Sequence, residues 1–193
     1  MFGSNGEKEL QKRYKSESRA QAFYDNQTLE HLNPEMIRFI AKQQMMFVST
    51  ADSQGNCDAS FRAGEPGFVK VLDAKTLAYP EYRGNGVYAS IGNILENPHI
   101  GLLFIDFFQD CIGLHVNGTA FIEEEIADLN DPKAERWVKI KVEEAYIHCS
   151  KHIPLLKKLD KEIHWGTDNA EYKGGDYFKA KLTKQTKHSN QTL

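Results

Sequence analysis

A succession of short apolar segments separated by turns restricts the fold of this chain more than any other feature. Most of the segments have the length of single strands and are bounded by turn-forming residues. The run from Ile100 to Asp106 is almost continuously apolar, which is typical of a strand buried on both faces. The other predicted strands are Met45–Thr50, Cys57–Phe61, Gly67–Leu72, Thr76–Tyr79, Cys111–Glu123 and Trp137–Tyr146.

Four helices are predicted around these strands. Asn33 and Pro34 are a typical N-cap and first helical residue, so a helix is expected from there to about Gln43. A helix of about two turns, roughly Val87–Glu96, must end before Pro98 because the residue before a proline disfavours the helical conformation. Two further helices are predicted at Arg19–His31 and Ile153–Glu162.

Strands joined mainly by hairpins, with one internal helix and flanking helices, do not form a doubly wound parallel sheet. The pattern favours a mainly β fold, a small antiparallel barrel with helices outside. Residues 1–18 are polar and are predicted to be a flexible N-terminal segment. Residues 19–193 are predicted to form one domain with a C-terminal helical or loop extension, since this length suits a single core.

Charge and cysteine content exclude several classes of protein. The net charge of −3 and the pI near 6.2 provide no positive field that would attract nucleic acid or an anionic membrane. No apolar run approaches the ~20 residues that span a bilayer, and the N-terminus lacks the apolar part of a secretory signal. The odd cysteine count, three, argues against a disulfide framework. A cytoplasmic protein is therefore expected.

The loop after Tyr79 is a candidate phosphate site. Arg83-Gly84-Asn85-Gly86 lies between a predicted strand and a predicted helix, where exposed backbone N–H groups and the helix N-terminus favour an anion. Lys70 is expected beside this turn, and two cations with several N–H donors would suit a phosphomonoester. The alternative is a glycine-rich turn with solvated charges.

The pattern GFVKVLD…TLAYP…RGN…S.GNILENP.IGLLF, preceded by D.S.R.GEPG, resembles the pyridoxamine 5′-phosphate oxidase-like family of FMN-binding split barrels. The similarity is greatest to a branch of uncharacterised FMN-dependent flavoproteins. It extends from about Pro34 to Ile122 and more loosely into the tail. It implies a six-stranded antiparallel split barrel and a homodimer that binds two FMN molecules between its subunits.

The resemblance also implies a set of cofactor-binding residues. A basic residue on the third barrel strand and the following strand-to-helix loop would hold the phosphate, while residues of the second strand and the helix would flank the flavin. These residues are Ser60, Arg62, Lys70, Arg83, Asn85, Ser90 and Asn93. The family's Ser-Arg-Lys phosphate triplet is Tyr88-Ala89-Ser90 in this chain and the loop is longer, so oxidation of pyridoxamine phosphate itself is not expected.

The implied function is an FMN-dependent oxidoreductase that acts on a small molecule, with a nicotinamide or a deazaflavin as possible electron donor. Hydride transfer requires no acid–base residue, and none is assigned. Arg62 would stabilise the reduced flavin; a salt bridge is its alternative role.

The competing hypothesis is a non-catalytic flavin or haem carrier on the same barrel. It depends on His148, Cys149 and His152, which could contribute a thiolate and imidazoles to a metal or a haem iron. A buried thiol with surface histidines, or a reactive thiol beside the flavin, are the alternatives. His115 is interpreted as a satisfied barrel histidine, and Lys173–Phe178 as a turn or as an aromatic lid provided by Tyr177 or Phe178.

Overall fold

The computed structural model describes residues 2–172 and 175–181. Its helices are α1 (Asn5–Arg13), α2 (Glu17–Gln27), α3 (Pro34–Lys42) and α4 (Ala89–Glu96). Its strands are β1 (Thr28–Leu29), β2 (Met45–Ala51), β3 (Cys57–Ala63), β4 (Lys70–Asp73), β5 (Thr76–Tyr82), β6 (His99–Asp106), β7 (Ile112–Glu123) and β8 (Ala134–His148). Short 3₁₀ turns lie at Ser150–His152 and Ala170–Tyr172.

The strands form one antiparallel sheet in the order β3-β2-β6-β7-β8-β5-β4, with β1 paired to β8. The path contains seven strands, one more than the six-stranded barrel that the family resemblance implied, and β1 is an addition that the sequence pattern did not predict. No backbone ladder joins β3 to β5 in the described part of the chain. The barrel is therefore split along the gap between these two strands.

The core lies inside the curved sheet and is built by alternate residues of its strands. Val48 and Met46 of β2, Phe104 of β6, and Tyr79 of β5 are fully buried there. In β3 the residues that face the same side are polar, since Ser60 lies opposite Val48 and Arg62 lies opposite Met46. The inner wall thus becomes polar at the gap.

The mainly β architecture is confirmed, and each predicted strand overlaps an observed one, although β4 begins at Lys70, three residues later than predicted. Helix α3 begins as the sequence predicts: the Asn33 side chain accepts a hydrogen bond from the Met36 backbone N–H (2.9 Å), and Pro34 occupies the first turn. The internal helix starts two residues later than predicted and ends at Glu96, before Pro98. Thr28 and Leu29, predicted as helical, instead form β1.

Two predictions outside the barrel are wrong. Residues 5–13 form α1 where a flexible segment was expected, because Ser4 and Glu7 make a reciprocal capping box that stabilises the helix start. The helix predicted at 153–162 does not form. That segment is extended: the Leu156 N–H donates to the Phe107 carbonyl (2.7 Å) and the Lys158 ammonium donates to the Gln44 amide (2.6 Å).

The C-terminal glycine-rich segment is described only in part. Lys173 and Gly174 lie outside the described residues. Tyr177 and Phe178 pack edge to face with each other (ring centroids 5.2 Å apart) and are 83% and 89% exposed. The proposed aromatic lid stays a prediction.

Candidate functional site

A buried ion pair bridges the gap between β3 and β5. The Arg62 guanidinium donates from Nε and Nη2 to the two carboxylate oxygens of Glu81, each at 3.0 Å, and from Nη1 to its neighbouring backbone carbonyl. The Arg62 and Glu81 side chains are only 20% and 12% exposed. Both belong to inward-facing positions, so side chains close the barrel where the backbone ladder does not. Arg62 therefore forms the salt bridge that was the alternative role predicted for it.

A second polar cluster attaches α4 to β3 beside this ion pair. The Asp58 carboxylate accepts hydrogen bonds from the hydroxyls of Ser60 and Ser90, both at 2.7 Å, and the two hydroxyls lie 2.6 Å apart. These bonds lower the pKa of Asp58 below its usual range, so the carboxylate is ionised at neutral pH. A bound phosphate at Ser90 would face this negative charge. The structure brings Ser60, expected beside the flavin, and Ser90, expected at the phosphate, together around a carboxylate.

Asn93 contacts the sheet one turn further along α4. Its side-chain amide donates to the Thr50 hydroxyl of β2 at 3.1 Å, and Thr50 is itself buried. Near the helix end, Ser53 donates to the Glu96 carboxylate at 2.8 Å. Hydrogen bonds of this kind hold α4 across the open part of the barrel.

The turn from Arg83 to Tyr88 differs from these clusters because each of its residues is exposed. Gly86 and Tyr88 both adopt left-handed backbone conformations (φ +78° and +57°), which is unfavourable for a tyrosine. Tyr88 is the N-cap of α4 and gives no side-chain cap to the helix. A Cβ at Gly84 or Gly86 would meet no atom within 4 Å, so the space above the turn is open.

The polar side chains of this turn retain donors toward a ligand. The Asn85 side-chain carbonyl accepts from the Val87 N–H (3.0 Å), while its amide nitrogen makes no hydrogen bond to the described residues. Arg83 Nε donates to Asp168 at 2.6 Å, and both side chains are more than half exposed. The first-turn N–H groups of α4 add backbone donors, because the side chain of the N-cap residue Tyr88 does not accept from them.

Arg136, at the start of β8, brings a further cation to the same end of the barrel. Its guanidinium carbon lies 5.3 Å from the centre of the Tyr88 ring, a cation–π distance. Arg136 is also the cross-strand neighbour of Glu81. Burial raises the pKa of Glu81, and the nearby charges of Arg62 and Arg136 oppose that increase.

Lys70 lies apart from the turn. It is exposed on β4 and is paired in register with Ala78, five residues before Arg83. Five residues of strand correspond to ~16 Å. The register therefore places the Lys70 backbone beside the first half of β5 and not beside the turn. Whether Lys70 contacts FMN stays a prediction.

The predicted His148, Cys149 and His152 cluster does not form. His148 instead bonds to His115 through their ring nitrogens (2.9 Å), and Cys149 is exposed. Among the described residues, no group of three or more His, Cys, Asp or Glu side chains could hold a metal ion. His115 has a hydrogen-bond partner, as expected, although it lies on the outer face of the barrel opposite Tyr146.

Sequence reasoning missed four participants: Asp58, Glu81, Tyr88 and Arg136. Asp58 could have been found, since Asp58, Ser60 and Arg62 alternate along one strand and must share a face. The other three depend on which strands meet across the barrel. That information is not contained in local spacing.

Comparison with known proteins identifies a family. A family model described as pyridoxamine 5′-phosphate oxidase matches residues 32–149. No curated protein matches the chain.

Several solved structures are similar at low identity. HupZ from Group A Streptococcus is 24% identical and covers 60% of this chain and 93% of its own (TM-score 0.47). A candidate pyridoxamine 5′-phosphate oxidase from Lactobacillus delbrueckii is 23% identical and covers 62% and 98% (TM-score 0.48). HutZ, a heme storage protein from Vibrio cholerae, is 13% identical and covers 60% and 94% (TM-score 0.40).

No helix within residues 2–172 and 175–181 combines the length and the apolar character that crossing a bilayer requires.

Proposed function

The chain belongs to the pyridoxamine 5′-phosphate oxidase family, and on that premise we propose that it binds FMN and acts as an FMN-dependent oxidoreductase on a small molecule. The observation that supports FMN most directly is the open turn from Arg83 to Tyr88. It combines an exposed cation and an exposed amide donor with the adjoining first-turn N–H groups of α4, which the Tyr88 side chain does not cap. This donor set suits a monophosphate.

The residues of the turn fit the phosphate group of FMN. Arg83 would neutralise its charge, while Asn85 and the first N–H groups of α4 would donate hydrogen bonds to its oxygens. Arg136 adds positive charge on the other side of Tyr88. The strained backbone of Tyr88 also favours a functional role for the turn, because such conformations concentrate at binding sites.

We assign a positioning role to Ser60, Arg62, Ser90 and Asn93. Their polar atoms are engaged by Asp58, Glu81 and Thr50, so these residues fix α4 against β3 and β2. They would hold the phosphate-binding turn in place without contacting the phosphate. Lys70 was expected to hold the phosphate, but the β4–β5 register places it beside Ala78 and away from the turn, so we propose a minor contribution that can be tested separately.

When bound, FMN would supply the hydride chemistry, and the protein would supply orientation and exclusion of water. The Arg62–Glu81 pair and the Asp58 cluster make the inner wall near α4 rigid, which suits the orientation of a planar ring. We propose no catalytic acid or base. A nicotinamide or a deazaflavin is the proposed electron donor.

We further propose a homodimer. Phe47 and Phe61 form an edge-to-face pair (5.7 Å between centroids) on the outer face of β2 and β3, where they are 40% and 54% exposed. Leu103 of β6 continues the same row. A second copy of the chain would remove these apolar side chains from water.

The visible spectrum of the purified protein, with mass identification of the bound molecule, tests this proposal. Flavin bands and the mass of FMN are expected. Bleaching by NADH or NADPH would then support an oxidoreductase, and bleaching only by a reduced deazaflavin would change the assigned donor. A Soret band without flavin would favour the haem carrier, and failure to bind added FMN would refute the proposal.

A further inference from the structure

Two histidines face each other on the outer surface of β7 and β8. His115 Nε2 and His148 Nδ1 are 2.9 Å apart, and the His115 ring stacks on Tyr146 with 4.7 Å between centroids and 18° between planes. Tyr146 in turn meets Phe23 of α2 edge to face at 5.8 Å. Stacking and the strand backbone fix the position of His115. Neither the proposed flavin site nor the barrel core uses this pair.

Gly113 makes the close approach of the two rings possible. It lies opposite His148 in the β7–β8 register. A Cβ at this glycine would lie 2.8 Å from the Cβ of His148 and 2.9 Å from the backbone carbonyl of Phe104. With glycine there, the His148 side chain can lie across β7 and reach the His115 ring, two residues further along that strand.

The separation of the nitrogens matches a chelate. Two imidazole nitrogens bound to one first-row metal ion at ~2.0–2.1 Å are roughly 2.9 Å apart when they occupy adjacent corners of a square or octahedron. Tetrahedral coordination would require a larger separation, roughly 3.4 Å. At 2.9 Å the two facing nitrogens are close enough to share one ion after the rings turn, and adjacent-corner coordination, as at Ni²⁺ or Cu²⁺, requires the smaller change in their separation.

We propose that His115 and His148 form a two-histidine site for a first-row transition-metal ion. The metal replaces the hydrogen bond between the rings: the shared N–H moves to the other nitrogen of its own ring, which leaves a lone pair on each facing nitrogen. Two neutral rings release no proton in this exchange. Each ring turns so that both lone pairs point to one ion.

The remaining coordination positions are open. Within residues 2–172 and 175–181 no third His, Cys, Asp or Glu completes a cluster with this pair. Water or an external ligand would fill those positions, as in metal sites that keep an open position. Both histidines are partly exposed, so the ion can enter from solvent.

Ni²⁺ binding to the untagged full chain, measured by isothermal titration calorimetry, tests the proposal. The wild type is expected to bind one Ni²⁺ per chain through this pair. His115→Gln and His148→Gln should each weaken binding by about tenfold or more, because one of the two protein ligands is lost. The matched control is His152→Gln, which removes an exposed histidine four residues from His148 and should leave the affinity unchanged.

A second measurement does not depend on the folding of the variants. In proton NMR spectra of the wild type, paramagnetic Ni²⁺ should broaden the imidazole signals of His115 and His148 before those of His31, His99 or His164. The proposal is overturned if other histidines broaden first, if the two glutamine variants bind Ni²⁺ as the wild type does, or if the wild type binds none. Riboflavin or FMN is absent from both experiments, so the outcome is independent of the proposed flavin site.

Discussion

Two polar groups beside the gap in the barrel, the Arg62–Glu81 pair and the Asp58 cluster with Ser60 and Ser90, contain residue types similar to those of the exposed turn. They use these residues differently. In the two polar groups, the Arg62 guanidinium donates to the Glu81 carboxylate, and the hydroxyls of Ser60 and Ser90 donate to the Asp58 carboxylate. In the turn, Arg83 has one exposed ionic contact and the Asn85 amide nitrogen makes no hydrogen bond to the described residues. Cationic and hydroxyl residues near a predicted site therefore divide into those that build it and those that can bind a ligand.

This difference can be measured because the two groups should respond to different assays. Substitutions in the gap should change the free energy of unfolding. Substitutions in the turn should change affinity for FMN while stability stays within about 0.5 kcal/mol, as is usual for exposed positions.

Removing Glu81 should have the largest effect. Glu81→Ala leaves the mostly buried Arg62 guanidinium without its partner, and breaking a buried pair in this way costs about 3 kcal/mol. Urea unfolding would measure the loss. Glu35→Ala is the matched control, since it breaks an exposed ion pair with Arg38 and should cost well under 1 kcal/mol. Equal effects of the two variants would show that the Arg62–Glu81 pair does not stabilise the barrel.

Arg83→Ala should weaken FMN binding by about 1.5–3 kcal/mol, the range for hydrogen bonds to a charged group. Riboflavin lacks the phosphate, so its affinity should not change. Fluorescence titration with both flavins would separate the two effects. Arg38→Ala, at an exposed arginine on α3, controls for the loss of net charge. If FMN and riboflavin lose affinity equally, Arg83 does not contact the phosphate.

The Asp58 cluster should show a pH dependence that the turn lacks. Its hydrogen bonds lower the pKa of Asp58 from the ordinary 3.8, so the stability that the ionised carboxylate provides is fully present above about pH 5. That contribution is lost as pH falls through the native pKa. Asp58→Asn should therefore destabilise the protein by ~1 kcal/mol at pH 7 and by progressively less below pH 4. A difference that is constant between pH 7 and pH 3 would contradict the assignment.

Lys70→Ala should have the smallest effect on FMN affinity. At ~16 Å from Arg83 along the strands, its charge lies beyond a Debye length of ~8 Å at physiological ionic strength. We expect a change below about 0.5 kcal/mol by the same titration. A loss as large as that of Arg83→Ala would show that the dimer or the bound cofactor brings Lys70 to the phosphate.

Local patterns in the sequence were sufficient to predict the strands and the start of α3. The alternation of β8 and the Asn33-Pro34 pair act within a few residues, and the structure follows them. The extended segment at 153–162 could not be predicted in this way, because its contacts with Phe107 and Gln44 are made with distant parts of the chain.

The candidate site was predictable only in outline. The run Arg83-Gly84-Asn85-Gly86 located the turn, while α4 begins two residues later than predicted. The partners that decide which side chains can bind a ligand come from other strands: Glu81 reaches Arg62 across the split in the barrel, and Asp58 reaches Ser90 from β3. Such pairings depend on tertiary structure.

The most direct test of the phosphate-binding turn is an amide NMR titration of ¹⁵N-labelled protein with FMN and then, in a separate sample, with riboflavin. FMN is expected to shift the amide signals of residues 84–89, whereas riboflavin should bind and leave most of them in place. If both flavins shift these amides equally, or if FMN binds and the amides do not move, the turn does not hold the phosphate.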